Sequence, residues 1–312
     1  MRRRAEPSNS FASPRSLFAL TLAPIALVAC AKRDDPAVVR GPVAEAGVEC
    51  PRSEGPRVVG RLENAALVEV SGLAASALHG DTFYAHNDSG DFARIFALRA
   101  DGKLVAELAL TGVDATDFED VATGPCGSDH CVYVADIGDN AAKRTEVAVH
   151  RFVEPATLAS GTVHVTTTRF RYEDGPHNAE SVLVDPRDGS LYVVTKEKSG
   201  VSALFAVPPE GGVASLRARF APPLGSNLFT GSTFAPTGDR VALRTYTHAF
   251  VYPVLGNEPL ARALERPPCV VESPPEPQGE AIAFTRDGRA LRFASEGNGV
   301  PFYEVSLGTT SP

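Results

Sequence analysis

The chain has 312 residues, a formal net charge of −8 and a hydrophobic fraction of 43 %. The acidic balance excludes a basic surface for nucleic acid, and the hydrophobic fraction allows a sizeable core. The chain has 25 prolines and no tryptophan, and its many valines, threonines and phenylalanines favour strands and turns over helices.

The first 29 residues predict a lipoprotein signal peptide. Four arginines and then a thirteen-residue apolar run, Leu17–Ala29, are typical of a secretion signal, and the run is too short to span a bilayer. It ends in LVAC, which resembles a bacterial lipoprotein cleavage box and implies that Cys30 becomes an acylated, palmitate-type N-terminus. Ala31 favours the outer membrane of a Gram-negative bacterium. The alternative is an ordinary secretion signal with a chance cysteine.

Two further regions follow the predicted cleavage point. Residues 30–56 are rich in proline, glycine and charge, and they predict a flexible linker from the lipid. Without residues 1–29 the chain carries 26 basic and 37 acidic residues, so a polybasic attachment to anionic lipid is excluded. We expect residues 57–312 to form one domain and the protein to be a monomer.

Four cysteines remain after Cys30, and an even number in an exported chain predicts two disulfides. Three connectivities are open. We favour a short clip, Cys126–Cys131, and a long-range tie, Cys50–Cys269. A structural zinc site is disfavoured, because a single CxxxxC pair lacks the second pair that such a site needs.

A motif that recurs about every fifty residues predicts the fold. The five copies are EVSGLA (69–74), DFEDVA (117–122), NAESVL (178–183), TGSTFA (230–235) and QGEAIA (278–283). The intervals between them read as four short strands, which is typical of propeller blades. We therefore predict an all-β, five-bladed β-propeller, closed by VVGRLE (58–63) joining the last blade. A six-bladed propeller is the alternative, and a two-sheet sandwich would not explain the period.

Polar residues occupy equivalent positions of these repeats, and equivalent positions of blades form a ring around the propeller axis. The first ring is Ser71, Glu119, Glu180, Ser232 and Glu280, and the ring two residues earlier is Glu69, Asp117, Asn178, Thr230 and Gln278. A further ring ends the second strands and contains Asp88, Asp136 and Glu197, with Asn87, Lys196 and Glu296 beside it. We predict that these residues line a ligand-binding channel face. Carboxylate and amide oxygens suit Ca²⁺ or Mg²⁺, although ordinary turns or a water-filled channel would also use them.

Motifs of common hydrolases are missing from the chain. The sequence has no GxSxG, no HExxH and no phosphate-binding GxxxxGK[ST]. Its seven histidines are scattered, and only His86 and His177 lie beside the acidic positions. A catalytic triad built on Ser71 therefore has no support from spacing.

Several motifs together resemble a known group of proteins. They are E-x-SGLA, HNDSGD, D-x-ED-[IV]-A, YVADIGDN and the LY-[VI]-VTK strand, between about Glu69 and Lys198. The chain resembles bacterial propeller lipoproteins, and it is more distantly similar to the SdiA-regulated and esterase-like phytase propeller families. The phytase resemblance implies calcium and the ligand set Asp88, Glu119, Asp136, Glu180 and Glu280. A phosphate site normally has several basic residues, whereas Lys196 is the one base beside this set.

These observations favour a non-enzymatic binding module of the cell envelope. Its acidic channel face would engage a small ligand, a cation or an envelope protein. A calcium-dependent hydrolase is the alternative, with a metal-activated water as nucleophile, and a purely structural scaffold is a third reading. The fold alone does not choose among them.

Overall fold

The computed structural model of the chain describes residues 38–39 and 50–308. The predicted signal peptide and Cys30 lie outside the described residues. The described part is built from strands, and its one helix, α1 (Leu260–Ala263), is a single turn. The predicted all-β class is therefore confirmed. Among these residues, no helix combines the length and apolar character that crossing a bilayer requires.

Most strands belong to five antiparallel groups of four. Two short strands come first, β1 (Val38–Val39) and β2 (Arg57–Arg61). Group 1 contains β3 (Val70–Ala75), β4 (Thr82–Asn87), β5 (Arg94–Arg99) and β6 (Leu104–Thr111). Group 2 contains β7 (Phe118–Cys126), β8 (Asp129–Asp136), β9 (Val147–Val153) and β11 (Thr166–Tyr172). Between the last two, β10 (Gly161–His164) pairs in parallel with β6 of group 1.

The remaining groups follow the same order. Group 3 contains β12 (Ala179–Val184), β13 (Leu191–Thr195), β14 (Ser202–Val207) and β15 (Gly212–Phe220). Group 4 contains β16 (Phe229–Phe234), β17 (Arg240–Thr245), β18 (His248–Pro253) and β19 (Cys269–Glu272). Group 5 contains β20 (Gly279–Phe284), β21 (Ala290–Ser295), β22 (Pro301–Ser306) and the N-terminal β2.

The five first strands form a closed ring. Strands β3, β7, β12, β16 and β20 each contact the next, and β20 contacts β3. Strand β2 pairs antiparallel with β22, so group 5 is built from both ends of the domain, as the sequence predicts. On the outside, β11 and β15 pair in parallel and join groups 2 and 3 into one sheet. Strand β15 also pairs with β1. The arrangement is propeller-like.

The apolar core is divided into five clusters, and each cluster lies between two neighbouring groups. Every group is thus covered on both faces, and for this reason strands such as β4, β12 and β20 are buried along their whole length. Such strands read as apolar runs and lack the polar alternation of a half-exposed sheet.

Two disulfides link the cysteines in the predicted pairs. Cys126 and Cys131 close the β7–β8 hairpin, and Cys50 is joined to Cys269 of β19. Cys50 lies on the segment that leads into β2, so the second disulfide ties group 4 to the strand that completes group 5. Both predicted pairings are confirmed.

Candidate functional site

Each first strand carries a β-bulge near its N-terminal end. The pairing between first and second strand shifts by one residue there in all five groups. The bulged residues are Ser71, Glu119, Glu180, Thr230 and Glu280. A bulge re-aims the side chain of the extra residue, and bulges are common beside functional sites. Four members agree with the predicted ring, but Thr230 replaces Ser232, which lies two residues further along β16.

Three bulge carboxylates form a buried network around one lysine. Glu119, Glu180 and Glu280 are at most 4 % exposed. Lys196 Nζ lies 3.1 Å from Glu180 Oε1 and donates to the Tyr246 hydroxyl over 3.0 Å. Tyr246 in turn donates to Glu280 Oε1 over 3.2 Å. Residues far apart in the chain therefore meet at one end of the ring.

The second predicted ring is offset from the one in the structure. The backbone N–H groups of Asp88, Gly138, Lys196 and Glu296 bond to the carbonyls two residues before the bulges, and these four residues are therefore equivalent. Asp136 instead matches Asn87, because both pair with the residue just before a bulge. The sequence-based prediction aligns Asp88 with Asp136 and Glu197. Asp136 lies two residues before the equivalent Gly138, and Glu197 lies one residue after the equivalent Lys196.

Four of the predicted site residues are engaged within the fold. Asn87 Oδ1 accepts from the backbone N–H groups of residues 68 and 69, and Asp136 accepts from those of residues 116 and 117. Arg144 Nη2 also lies 2.7 Å from Asp136 Oδ1. Ser71 Oγ donates to the Glu119 carbonyl, and Glu197 bonds to His177. The structure does not bring these side chains into the carboxylate network.

Asp88, Asp117 and Glu119 form the tightest acidic cluster at this end of the ring. Each offers one carboxylate oxygen, and the three oxygens lie within 4.8 Å of one another. Gly138 makes room for them, because a Cβ atom there would lie 2.2 Å from Glu119 Oε1 and 2.4 Å from Asp117 Cγ. Three carboxylate oxygens at this spacing are a donor set suited to a hard divalent cation. Hereafter we call Asp88, Asp117 and Glu119 the carboxylate cluster.

The electrostatics of this region favour neutralisation of its carboxylates. Burial raises the pKa of Glu119 well above its usual range, and the charges of Glu180 and Asp88 raise it further. Burial and the neighbouring acidic groups raise the pKa of Asp117 to about 6. Burial, followed by the charge of Glu180, also raises the pKa of Glu280. These groups would repel one another if all were ionised, so a bound cation would stabilise them.

Lys196 is the one basic side chain of the network itself, and it stays charged. Burial lowers its pKa, but the charge of Glu180 and the hydrogen bond to Tyr246 outweigh burial, and the net shift is upward. The cations beside this region are Lys196 and Arg144, whose charge lowers the Asp117 pKa. Six carboxyl groups gather here, which are Asp88, Asp117, Glu119, Glu180, Glu280 and Glu296. If all six carboxyl groups were ionised, the region would be acidic in net charge even with both cations present.

His177 lies beside this region, and its ion pairs should make a pH-dependent contribution to the stability of the fold. Its Nδ1 lies 2.7 Å from Glu197 and its Nε2 lies 2.9 Å from Asp174, which also pairs with Arg219. Burial lowers the His177 pKa, but the two carboxylates outweigh burial and raise it above the usual 6.5. The stabilisation is therefore full below pH 6.5 and is lost as pH rises through the raised value.

We expect His177→Gln to lower the melting temperature more at pH 5.5 than at pH 9. Circular dichroism melts at the two pH values measure this difference. His164→Gln is the matched control, because His164 is exposed on β10 and should show no such dependence. An equal loss at both pH values would mean that the ion pairs do not stabilise the fold.

Sequence reasoning missed two members of this region, Tyr246 and Gly138. Tyr246 follows the second strand of group 4 just as Lys196 follows that of group 3. A correct alignment of the repeats would have placed it beside Lys196. Gly138 lies within the DIGD loop, where glycine suggests only a turn, so the sequence alone does not reveal that its missing side chain makes room for Asp117 and Glu119.

Comparisons with known proteins found only distant similarities to solved structures. No family model and no curated protein matches the chain. Among solved structures, a gluconolactonase from Xanthomonas campestris is 13 % identical with a TM-score of 0.44, covering 88 % of this chain and 100 % of its own. A chain of a nidogen/laminin complex is 16 % identical with a TM-score of 0.43, covering 72 % of each chain. The U3-55K structure is 13 % identical with a TM-score of 0.39, covering 76 % of this chain and 68 % of its own. Nothing about activity follows from similarities this low.

Proposed function

We propose that the chain is a five-bladed β-propeller that binds a divalent cation at the acidic end of its channel. The observation that carries this proposal is the carboxylate cluster, whose oxygens come from two different groups of the ring. The closed ring of first strands supports the five-blade reading, because each four-stranded group contributes one of its members.

Calcium is the cation that we propose. Calcium accepts six to eight oxygen ligands in a flexible geometry. The carboxylate cluster supplies three, and Glu180 lies close enough to Glu119 to raise its pKa. The proposed set keeps Asp88, Glu119 and Glu180 of the ligands that the phytase resemblance implies, adds Asp117, and leaves Asp136 to its partner Arg144.

Calcium should therefore raise the melting temperature. A ligand at one hundred times its dissociation constant adds about 2.7 kcal/mol to the free energy of unfolding, which in a domain of this size is roughly 5–10 °C. Thermal melts in calcium and in chelator measure the shift. Asp117→Asn with Glu119→Gln should abolish it, whereas Glu210→Gln, at an exposed position, should leave it intact. A shift that survives the double change would place the cation elsewhere.

We propose that the protein acts by binding and not by catalysis. Two basic side chains lie at this region of the described residues, Lys196 in the acidic network and Arg144 near Asp117, and Arg144 is already paired with Asp136. A site that turns over anionic esters normally has several basic groups free to bind the anion. A screen with p-nitrophenyl phosphate and p-nitrophenyl acetate, with and without calcium, tests this. Calcium-dependent turnover that disappears in Glu119→Gln would identify the hydrolase alternative instead.

We further propose that the protein is anchored in the cell envelope, in the outer membrane of a Gram-negative bacterium, through an acylated Cys30. The support is the sequence LVAC directly after an apolar run. Two or three acyl chains bind a bilayer stably, since each buried CH₂ contributes about 0.8 kcal/mol.

Cys30→Ser should move the protein from the membrane fraction to the soluble fraction. Immunoblotting of the two fractions measures the change, and Ser10→Ala in the basic N-terminal region is the control that should still pellet. A Cys30→Ser protein that remains in the membrane pellet would contradict acylation.

A further inference from the structure

A second opening lies at the other end of the ring, away from the carboxylates. A cavity of about 370 Å³ lies there. All five first strands line it with residues beyond their bulges, and the segments that follow some of these strands line it as well. The lining is mainly apolar and includes Ala74, Ala122, Val184, Phe234 and Phe284.

Asp120 separates this cavity from the acidic end. Its Oδ1 accepts from the N–H of Val121, and its Oδ2 accepts from the N–H of Val182 and from the Ser232 hydroxyl, over distances of 2.9 to 3.3 Å. One fully buried carboxylate thus bridges the first strands of groups 2, 3 and 4. The two ends of the channel therefore present separate sites.

Most polar side chains of the lining are already bonded to the protein, and the exposed His130 is also part of the lining. Thr123 donates to the Ala75 carbonyl, Thr233 accepts from the Phe284 N–H, and Ser76 bonds to Glu154. Arg286 is the one lysine or arginine among the lining residues, and its guanidinium bonds to the Leu78 carbonyl. An occupant would find mainly apolar contact here, with the free N–H groups of the exposed Arg286 and the ring of His130 as available hydrogen-bonding groups.

We propose that this cavity binds a small aromatic molecule. Ligand sites in proteins are mostly apolar clefts of about 300–1,000 Å³, and this cavity falls in that range. An engineered apolar cavity of about 150 Å³ is large enough for benzene, so a cavity more than twice as large accommodates two or three rings. The apolar lining is a poor host for water and a good one for such rings.

An uncharged fluorescent probe tests the proposal. N-phenyl-1-naphthylamine brightens in apolar surroundings, and the chain has no tryptophan to interfere with its signal. Titration into the protein should give saturable, one-site binding. Indole should displace the probe. Fluorescence that rises without saturation, or that indole does not displace, would overturn the proposal.

Two variants locate the binding. Ala75 and Ala77 are half-buried and line the cavity, so Ala75→Phe and Ala77→Phe should each weaken probe binding by about tenfold or more. Ala159→Phe, at an exposed position outside the lining, should not change the affinity. Melting curves verify folding, and Ala77→Phe near the cavity rim remains informative if Ala75→Phe does not fold. Unchanged affinity in a folded Ala77→Phe protein would contradict the assignment.

The carboxylate variants distinguish this site from the acidic one. Asp117→Asn with Glu119→Gln should retain probe binding, because Asp120 lies between the two ends. Loss of calcium binding with retention of the probe is the result expected of two separate sites. Loss of the probe in this folded double variant would show that the cavity is not an independent site.

Discussion

Replacing Cys50 and Cys269 together by serine should lower the free energy of unfolding by roughly 5 kcal/mol. The two cysteines are separated by 219 residues, and a cross-link that closes so long a loop removes much of the conformational entropy of the unfolded chain. The disulfide also holds the segment that leads into β2 against group 4. Guanidinium denaturation, with the midpoint and slope fitted separately, measures the loss.

The second disulfide is the matched control for this experiment. Cys126 and Cys131 are separated by only five residues, and the same loop-closure argument gives about 2 kcal/mol for their replacement. The long-range pair should therefore cost more than twice as much as the hairpin pair. Equal losses would show that the Cys50–Cys269 bond does not act by restraining the unfolded chain.

The sequence predicted the all-β class because that class depends on features that can be read locally. Short apolar runs punctuated by turn residues indicate strands, and a motif that recurs every fifty residues indicates stacked units of one kind. Closure by an N-terminal strand follows from the same repeat, since the last unit lacks one strand. The structure places β2 there.

The alignment of residues within the repeats could not be predicted with the same accuracy. In group 4 the motif TGSTFA offers polar residues at three positions, Thr230, Ser232 and Thr233, and the bulge falls on Thr230. A shift of one residue moves a side chain to the other face of a strand, and a bulge changes the count without changing the sequence pattern. Only backbone pairing resolves such a register.

The loops DSGD and DIGD show the same difficulty. They look equivalent in sequence, and this likeness placed Asp88 beside Asp136. In the structure Asp136 is the last residue of β8, whereas Asp88 lies one residue beyond β4. Asp88 therefore reaches the carboxylate cluster, and Asp136 is held by Arg144 and two backbone N–H groups. One residue of strand length separates the two roles.

The sequence did not predict a buried ion pair that lies between groups 4 and 5. Arg244 of β17 is fully buried, and its Nη2 lies 2.8 Å from Glu276 Oε2. Its Nη1 donates to the Ala281 carbonyl over 2.8 Å, and its guanidinium lies over the ring of Phe293. An arginine in a strand normally suggests a solvent-facing position, so the sequence gives no sign of this contact.

Arg244→Met should therefore lower the free energy of unfolding by about 3–5 kcal/mol. Methionine fills much of the space, but the variant leaves the carboxylate of Glu276 buried without its partner, and breaking a buried pair on one side has a cost of this size. Burial already raises the pKa of Glu276 in the presence of the arginine charge. Guanidinium denaturation measures the loss. Arg262→Met is the control, because the side chain of Arg262 is 68 % exposed and its surface pair should contribute little.

Two further measurements distinguish the cost of the unpaired Glu276 carboxylate from the cost of lost packing. Without Arg244 the Glu276 pKa in the folded state rises further above its unfolded value, so the variant should lose less stability at pH 5, where the carboxyl group is protonated, than at pH 8. Arg244→Met with Glu276→Gln should likewise recover part of the loss at pH 8, because the buried group is then neutral. If the single variant loses the same free energy at both pH values, and the second change recovers none of it, the contribution of Arg244 is packing between the two groups and not charge.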